Sequence, residues 1–339
     1  MVHIQPFSLK MKKFSKAIAI VLTIIAVVVG SALTYVKVAL PNVGAASDIK
    51  IESTPKRIQR GKYLANNVTL CLDCHSQRDW NLLAGPIKPG TYGAGGEKFD
   101  QNIGLPGVYY SPNITSFALK NWTDGEILRA ITEGVSKDGR ALFPIMGYPH
   151  YGQMDKEDVY SIIAFIKTLP AIEASHPAPS SDFPMNFIIN TIPKKANFQT
   201  IPAKNNQIAY GKYLVNAANC VECHTQMDNG TPLPGMEFAG GSTFNLPEAT
   251  IKSANISPDK LTGIGAWTNE QFVAKFKSFT DTTQPTIKVK KGDFQTVMPW
   301  TQYGKMKETD LQAIYAYLKT VKPVKNNVIK FESKHNYDL

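Results

Sequence analysis

The chain has 339 residues, with 37 Lys and Arg against 27 Asp and Glu, for a formal net charge of +10. A hydrophobic share of 43% is ordinary for a folded chain and excludes general disorder. The basic balance lacks an aromatic-basic face and so does not point to nucleic acid.

Residues 17–36 form an uncharged apolar run of 20. As a helix it spans roughly 30 Å, one crossing of a bilayer. Lys10, Lys12, Lys13 and Lys16 precede the run and Lys37 follows it, so the positive-inside bias places residues 1–16 in the cytoplasm and everything after Lys37 outside. A cleaved leader is the alternative, because Val43-Gly44-Ala45 resembles a small-residue cleavage site. Its apolar region would span about 7 to 15 residues, so the longer run reads as a retained anchor. Removing it leaves enough chain for two domains.

Those domains are visible as an internal repeat. Gly61-Lys62-Tyr63-Leu64-Ala65-Asn66 recurs as Gly211-Lys212-Tyr213-Leu214-Val215-Asn216, and each opens a helix. Next come Cys71-Leu72-Asp73-Cys74-His75 and Cys220-Val221-Glu222-Cys223-His224, which use all four cysteines of the chain. Cys-x-x-Cys-His is the attachment pattern of a c-type haem: two thiols add to the vinyl groups and the histidine reaches the iron from one face. A zinc ribbon would need its cysteine pairs about 15 to 20 residues apart. A thioredoxin-like motif has no need of the histidine.

The repeat continues in order. Gly95-Gly96 and Phe99 match Gly240-Gly241 and Phe244, Asn113-Ile114 matches Asn255-Ile256, and Trp122-Thr123 matches Trp267-Thr268. Thr123-x-x-Glu126 and Thr268-x-x-Gln271 have capping-box form and predict helix starts, with Gly134 as the stop of the first. The two tryptophans suit either a haem edge or the core. Met146 and Met154 then align with Met298 and Met306 at one offset. Met146 and Met298 lie in irregular, proline-flanked segments and are the expected sixth ligands. Met154 and Met306 immediately precede a final helix and read as packing residues. That helix is predicted near 156–169 and 307–321, with Val159, Ile162, Ile163 and Ile166 echoed by Leu311, Ile314, Tyr315 and Leu318. His150 aligns with Gln302 and reads as a loop residue, and no role is expected for His3, His176 or His335. The expected domains are 48–169 and 206–325, joined by a linker over 170–205 and followed by a tail over 326–339.

Both halves resemble class I cytochrome c domains. The stretch from Asn255 to Thr268 is similar to cytochrome c subunits of membrane-bound alcohol and gluconate dehydrogenases. In that family the methionine of a Met-Pro-x-x-x-Tyr segment is the distal haem ligand, which implies Met298 and, through the repeat, Met146. The chain departs from the family in having two haem motifs where three are typical, in an N-terminal anchor, and in Met146-Gly147 where Met-Pro is favoured. The expected fold is all-α: two tandem haem domains after one transmembrane helix.

Cys71, Cys74, His75 and Met146 are thus expected to hold one haem, and Cys220, Cys223, His224 and Met298 the other. Irons filled by histidine and methionine exchange electrons and leave no open position for substrate. The expected activity is therefore electron relay and not catalysis, on the periplasmic side of a bacterial cytoplasmic membrane. It would run between a dehydrogenase or quinol-level donor and a downstream acceptor, such as another cytochrome or an oxidase. The alternative is a di-haem redox enzyme of peroxidase or thiosulfate-oxidising type, with one open iron. Residues 176–339 hold 18 Lys against 13 acidic residues and no Arg. Lys288, Lys290 and Lys291 fall in an insertion of the second copy, either a docking site for an acidic redox partner or a solvated loop.

Overall fold

A computed structural model describes residues 7–228, 230–280 and 287–334, with side chains from residue 14 onward. His3 and His335 lie outside the described residues. Phe7–Val38 is one helix, α1. The rest of the described chain leaves its apolar stretch uncovered, with Ile18, Leu22, Ile25 and Val28 all exposed.

Each half is built on three longer helices: α2 (Pro55–Asn67), α3 (Asp124–Glu133) and α4 (Lys156–Ile166) in the first, α5 (Gln207–Ala217), α6 (Asn269–Lys277) and α7 (Glu308–Leu318) in the second. Their ends follow the local sequence. Both capping boxes form, with the Thr123 and Thr268 hydroxyls accepting from the Glu126 and Gln271 amides, and the Thr123 and Thr268 amides donating to the Glu126 and Gln271 side chains. Gly134 stops α3 in the left-handed region at φ 73°.

In each half the first helix crosses the last so closely that only glycine fits at the contact. A Cβ on Gly61 would stand 1.8 Å from the Ser161 carbonyl oxygen of α4, and one on Gly211 would stand 1.9 Å from that of Ala313 in α7. Around these crossings lies one apolar core running through both halves, in which Leu64, Val159 and Ile163 are matched by Leu214, Leu311 and Ile314.

Helix is the predominant regular structure, but the all-α expectation needs correcting because small sheets accompany it. Among the described residues there are three small antiparallel sheets: β1 (Lys98–Phe99), β2 (Gly107–Tyr110) and β3 (Ser180–Ser181); β4 (Met227–Asp228) and β5 (Thr231–Pro232); and β6 (Thr243–Asn245), β7 (Ala249–Lys252) and β8 (Phe331–Ser333). The central strands β2 and β7 alternate buried and half-buried residues. They are too short for that period-2 signal to stand out in sequence. Their outer partners β3 and β8 come from the stretches expected as linker and tail, so both stretches fold back onto the half that precedes them. Asn113 and Asn255 hold this return in place, donating to the Ile172 and Val324 carbonyls. His176 adds a 2.7 Å bond to the Ala94 carbonyl.

The halves meet along a polar seam with approximate two-fold logic. Tyr63 donates to Asp310 at 2.7 Å, and its repeat partner Tyr213 donates to Asp158 at 2.6 Å. Asp158 also takes a two-pronged bond from Arg60. Burial, and then the adjoining carboxylate, push both tyrosine hydroxyls well above their ordinary range. The lysine-bearing insertion is a brace across this seam. The Leu83 amide donates to the Ile287 carbonyl and the Val289 amide to that of Asn81. Gln295 accepts from Ala84 and donates to the Trp80 and Leu82 carbonyls. Lys288, Lys290 and Lys291 remain exposed on its outer side.

Candidate functional site

In each half, a left-handed residue turns the chain from the first helix into the cysteine motif: Leu70 at φ 54° and Asn219 at φ 53°. Single turns of helix follow, Cys71–Cys74 and Cys220–His224. Cysteines three apart in such a turn share one face. The thiol of Cys71 contacts the Thr69 hydroxyl at 3.2 Å. Burial pushes the Cys74 and Cys220 thiols up to about 12 and those of Cys71 and Cys223 up to about 11. Cys74 and Cys223 nonetheless have accessible surface.

The histidines are oriented by backbone. His75 Nδ1 lies 2.8 Å from the Pro112 carbonyl and His224 Nδ1 lies 2.7 Å from that of Ala254. A carbonyl can only accept, so Nδ1 carries the proton and Nε2 presents its lone pair. Burial holds both imidazoles below the ordinary histidine range, keeping them neutral. The residues that aim them immediately precede the repeated Asn113-Ile114 and Asn255-Ile256. Sequence reasoning found those pairs without assigning them this purpose.

The repeated glycine pairs close the same arrangement. The Gly95 and Gly240 amides each donate to the motif histidine's carbonyl at 2.8 Å, and the Gly96 and Gly241 amides donate to those of Ser111 and Ser253. All four glycines have positive φ, and a Cβ on Gly95 or Gly240 would come within 2.4 Å of backbone atoms.

Met146 ends a short 3-10 turn, Pro144–Met146, and Gly147 follows it in the left-handed region. Met298 lies just ahead of the Trp300–Tyr303 turn. Both methionines are half-buried at the edge of the core. Each segment is tied to the cysteine motif of its own half by a buried tyrosine. Tyr151 donates to the Thr69 carbonyl at 2.9 Å and Tyr303 to that of Ala218 at 2.8 Å, two residues before Cys71 and Cys220 respectively. Tyr303 is the tyrosine of the Met-Pro-x-x-x-Tyr segment and Tyr151 its repeat partner, each five residues after its methionine, but the sequence assigned neither a role. Met154 and Met306 are 0% and 1% exposed, as befits packing residues. Trp122 and Trp267 are half-buried against the core.

His150 makes a contact that its loop position did not reveal. Its ring nitrogens lie 2.9 Å from Asn216 Oδ1 and 2.6 Å from Glu222 Oε1, both in the other half. Asn219 donates to the Tyr151 hydroxyl across the same seam. The Tyr151 hydroxyl thus joins Thr69 and Asn219, which lie just ahead of the two cysteine motifs, so the motifs approach each other here. Burial opposes protonation of His150, but the bonds to Glu222 and Asn216 outweigh it and raise its pKa. A raised histidine pKa adds stability that is complete below the unfolded value and is lost as pH rises through the folded one. The denaturation midpoint should therefore fall as pH rises past the ordinary histidine range, and fall less in His150→Gln, which copies the residue at 302. Equal pH slopes in the two proteins would show that the contact contributes nothing.

The donor set suits haem c. Each half offers two thiols on one face, a neutral imidazole with a free Nε2, and a thioether-bearing loop tethered to the same motif. Among the described residues, no group of three or more His, Cys, Asp or Glu converges as a metal cage.

Residues 208–322 match the family model for cytochrome c, and this part of the chain is a cytochrome c domain, which implies covalently bound haem c. Over 283 residues the chain is 28% identical to the cytochrome c subunit of the quinone-type alcohol dehydrogenase of Gluconacetobacter polyoxogenes, covering 79% of this chain and 56% of that protein. It is 28% identical over 288 residues to the fructose dehydrogenase cytochrome subunit of Gluconobacter japonicus, covering 78% of this chain and 52% of the relative. A diheme c-type cytochrome of Cereibacter sphaeroides is 26% identical over 262 residues, covering 74% of this chain and 81% of that one. The chain spans about half the length of the two dehydrogenase subunits.

Proposed function

We propose that this chain is a membrane-anchored electron carrier with two covalently held haems. Cys71, Cys74, His75 and Met146 would hold one, and Cys220, Cys223, His224 and Met298 would hold the other. The observation that carries this reading is the duplication of one complete donor set: cysteine turn, carbonyl-oriented histidine, and methionine segment tied back by a tyrosine.

Haem c, when bound, supplies a one-electron iron couple. The protein's own groups do the rest. The thiols fix the ring's position, and the Pro112 and Ala254 carbonyls keep His75 and His224 in the tautomer that offers Nε2. The thioethers of Met146 and Met298 would supply a second protein ligand to each iron, which would leave no coordination position for water or a small substrate. Both motifs lie near the seam, which suits passage of an electron from one half to the other. The dehydrogenase cytochrome subunits among the relatives support a dehydrogenase as partner; a quinol-level donor and another cytochrome or an oxidase as acceptor complete the proposal. As an anchor, α1 would keep both halves at the outer face of the cytoplasmic membrane, within reach of membrane-bound partners.

Haem content tests this reading. Protein made with a functioning cytochrome maturation system should carry two haems per chain that resist acidified acetone, and its oxidised spectrum should be low-spin at both irons. Cys71→Ser/Cys74→Ser and Cys220→Ser/Cys223→Ser should each lose one. A single haem per chain, extractable haem, or a peroxide-reactive high-spin fraction would overturn the proposal.

A further inference from the structure

The segment between the two halves carries apolar side chains that the fold leaves uncovered. It forms two short helical pieces, Met185–Ile188 and Ile189–Thr191. Phe183, just ahead of them, is 79% exposed, and Ile188 is 44% exposed. The Phe183 ring meets Phe187 edge to face at 6.3 Å. Lys194 and Lys195 follow, both exposed.

This segment is fastened to the end of α1. Lys37 Nζ donates to the Asn186 carbonyl at 2.6 Å and stands 4.8 Å over the Phe187 ring. Both helical pieces touch α1. Its depth follows from that attachment. The uncharged run ends at Val36 after covering roughly 30 Å, the thickness of the hydrocarbon layer, so Lys37 is the first charge beyond it. A lysine there directs its ammonium into the headgroups, and whatever is bonded to that ammonium lies at the same level. Tyr35, 61% exposed on the neighbouring turn, fits the aromatic belt found at this depth. Aromatic and aliphatic groups backed by lysines are the composition that settles at a lipid surface, particularly an anionic one.

We propose that residues 182–195 form a second membrane contact, lying in the headgroup layer of the outer leaflet with Phe183 and Ile188 inserted toward the acyl chains. The inference rests on the reading of α1 as a membrane anchor and extends it. A helix alone would let the two halves swing about one flexible attachment. With two contacts, their orientation over the bilayer is fixed.

The test uses the full-length holoprotein in vesicles of phosphatidylcholine and phosphatidylglycerol containing a phospholipid with a photoactivatable diazirine in its acyl chain. Adducts mapped by mass spectrometry should fall in two places, residues 14–38 and residues 183–188. Leu261, 83% exposed in the second half, serves as the control and should stay unlabelled. In Phe183→Asp/Ile188→Asp the linker adducts should drop by about an order of magnitude, because charge is excluded from the acyl region, while those in 14–38 persist. Adducts confined to 14–38 would overturn the second contact and leave the anchor standing, with a protein partner as the remaining occupant of the patch. Absence of adducts in 14–38 would sink the anchor reading itself. Equal labelling of Leu261 and Phe183 would show indiscriminate contact and also overturn the proposal.

Discussion

Met298→Leu is expected to abolish the methionine-to-iron absorption band of one centre, introduce a high-spin component there, and lower that centre's reduction potential. Axial ligands command a range of roughly 0.8 V, so losing the thioether should cost on the order of 0.1 V or more. Met146→Leu should do the same to the other centre. Leucine fills a similar volume but offers no lone pair, so the change isolates ligation from packing. Met154→Leu and Met306→Leu are the controls. Those side chains are 0% and 1% exposed in the core, where such a swap costs less than about 1.5 kcal/mol and touches no donor. Potentiometric titration with optical detection reads both effects. If the spectra and potentials of Met146→Leu and Met298→Leu match the parent while a core variant changes, the ligands have been assigned to the wrong methionines. His150 is a poor substitute ligand, since both of its nitrogens are already engaged across the seam.

The largest effect on stability is expected at the helix crossings. In an exposed helix, glycine to alanine gains about 1 kcal/mol from helix propensity. At Gly61 and Gly211 the sign should reverse. The added methyl would sit 1.8 Å from the Ser161 carbonyl oxygen in one half and 1.9 Å from that of Ala313 in the other. Both obstacles are backbone, so no side-chain rotation relieves them and the paired helices must separate. Overpacking costs typically about 1–3 kcal/mol and occasionally more, against the roughly 5–15 kcal/mol that holds a typical domain folded, and a backbone obstacle places these two sites at the upper end. Gly61→Ala and Gly211→Ala should therefore lower the denaturant midpoint sharply, each loosening first the half that it occupies. Midpoints equal to the parent's would mean that the helices do not approach this closely.

Much of the site was legible because its chemistry depends on residues that are neighbours in the chain. Cys71, Cys74 and His75 share one helical turn, as do Cys220, Cys223 and His224. Thr123 and Thr268 cap helices through contacts three residues away. The repeat also marked Gly95-Gly96 and Asn113-Ile114 as meaningful. Their purpose was hidden, because the partner of Gly95 is the His75 carbonyl and the partner of His75 is the Pro112 carbonyl, tens of residues away. Nothing in a single sequence distinguishes a carbonyl that aims an imidazole from any other.

What the sequence determined by itself is local and periodic: the cysteine turns, the helix caps, the apolar run of α1, and a duplication that pairs Met146 with Met298. Tertiary structure alone decided how those pieces are used. It brought Ser180–Ser181 and Phe331–Ser333 in as outer strands, turned the Ile287–Gln295 stretch into a brace, seated His150 against Glu222, and laid Asn186 on Lys37. Each of these joins groups 70 or more residues apart. Such contacts depend on how completed surfaces fit together, a property that residue order carries only through the finished fold.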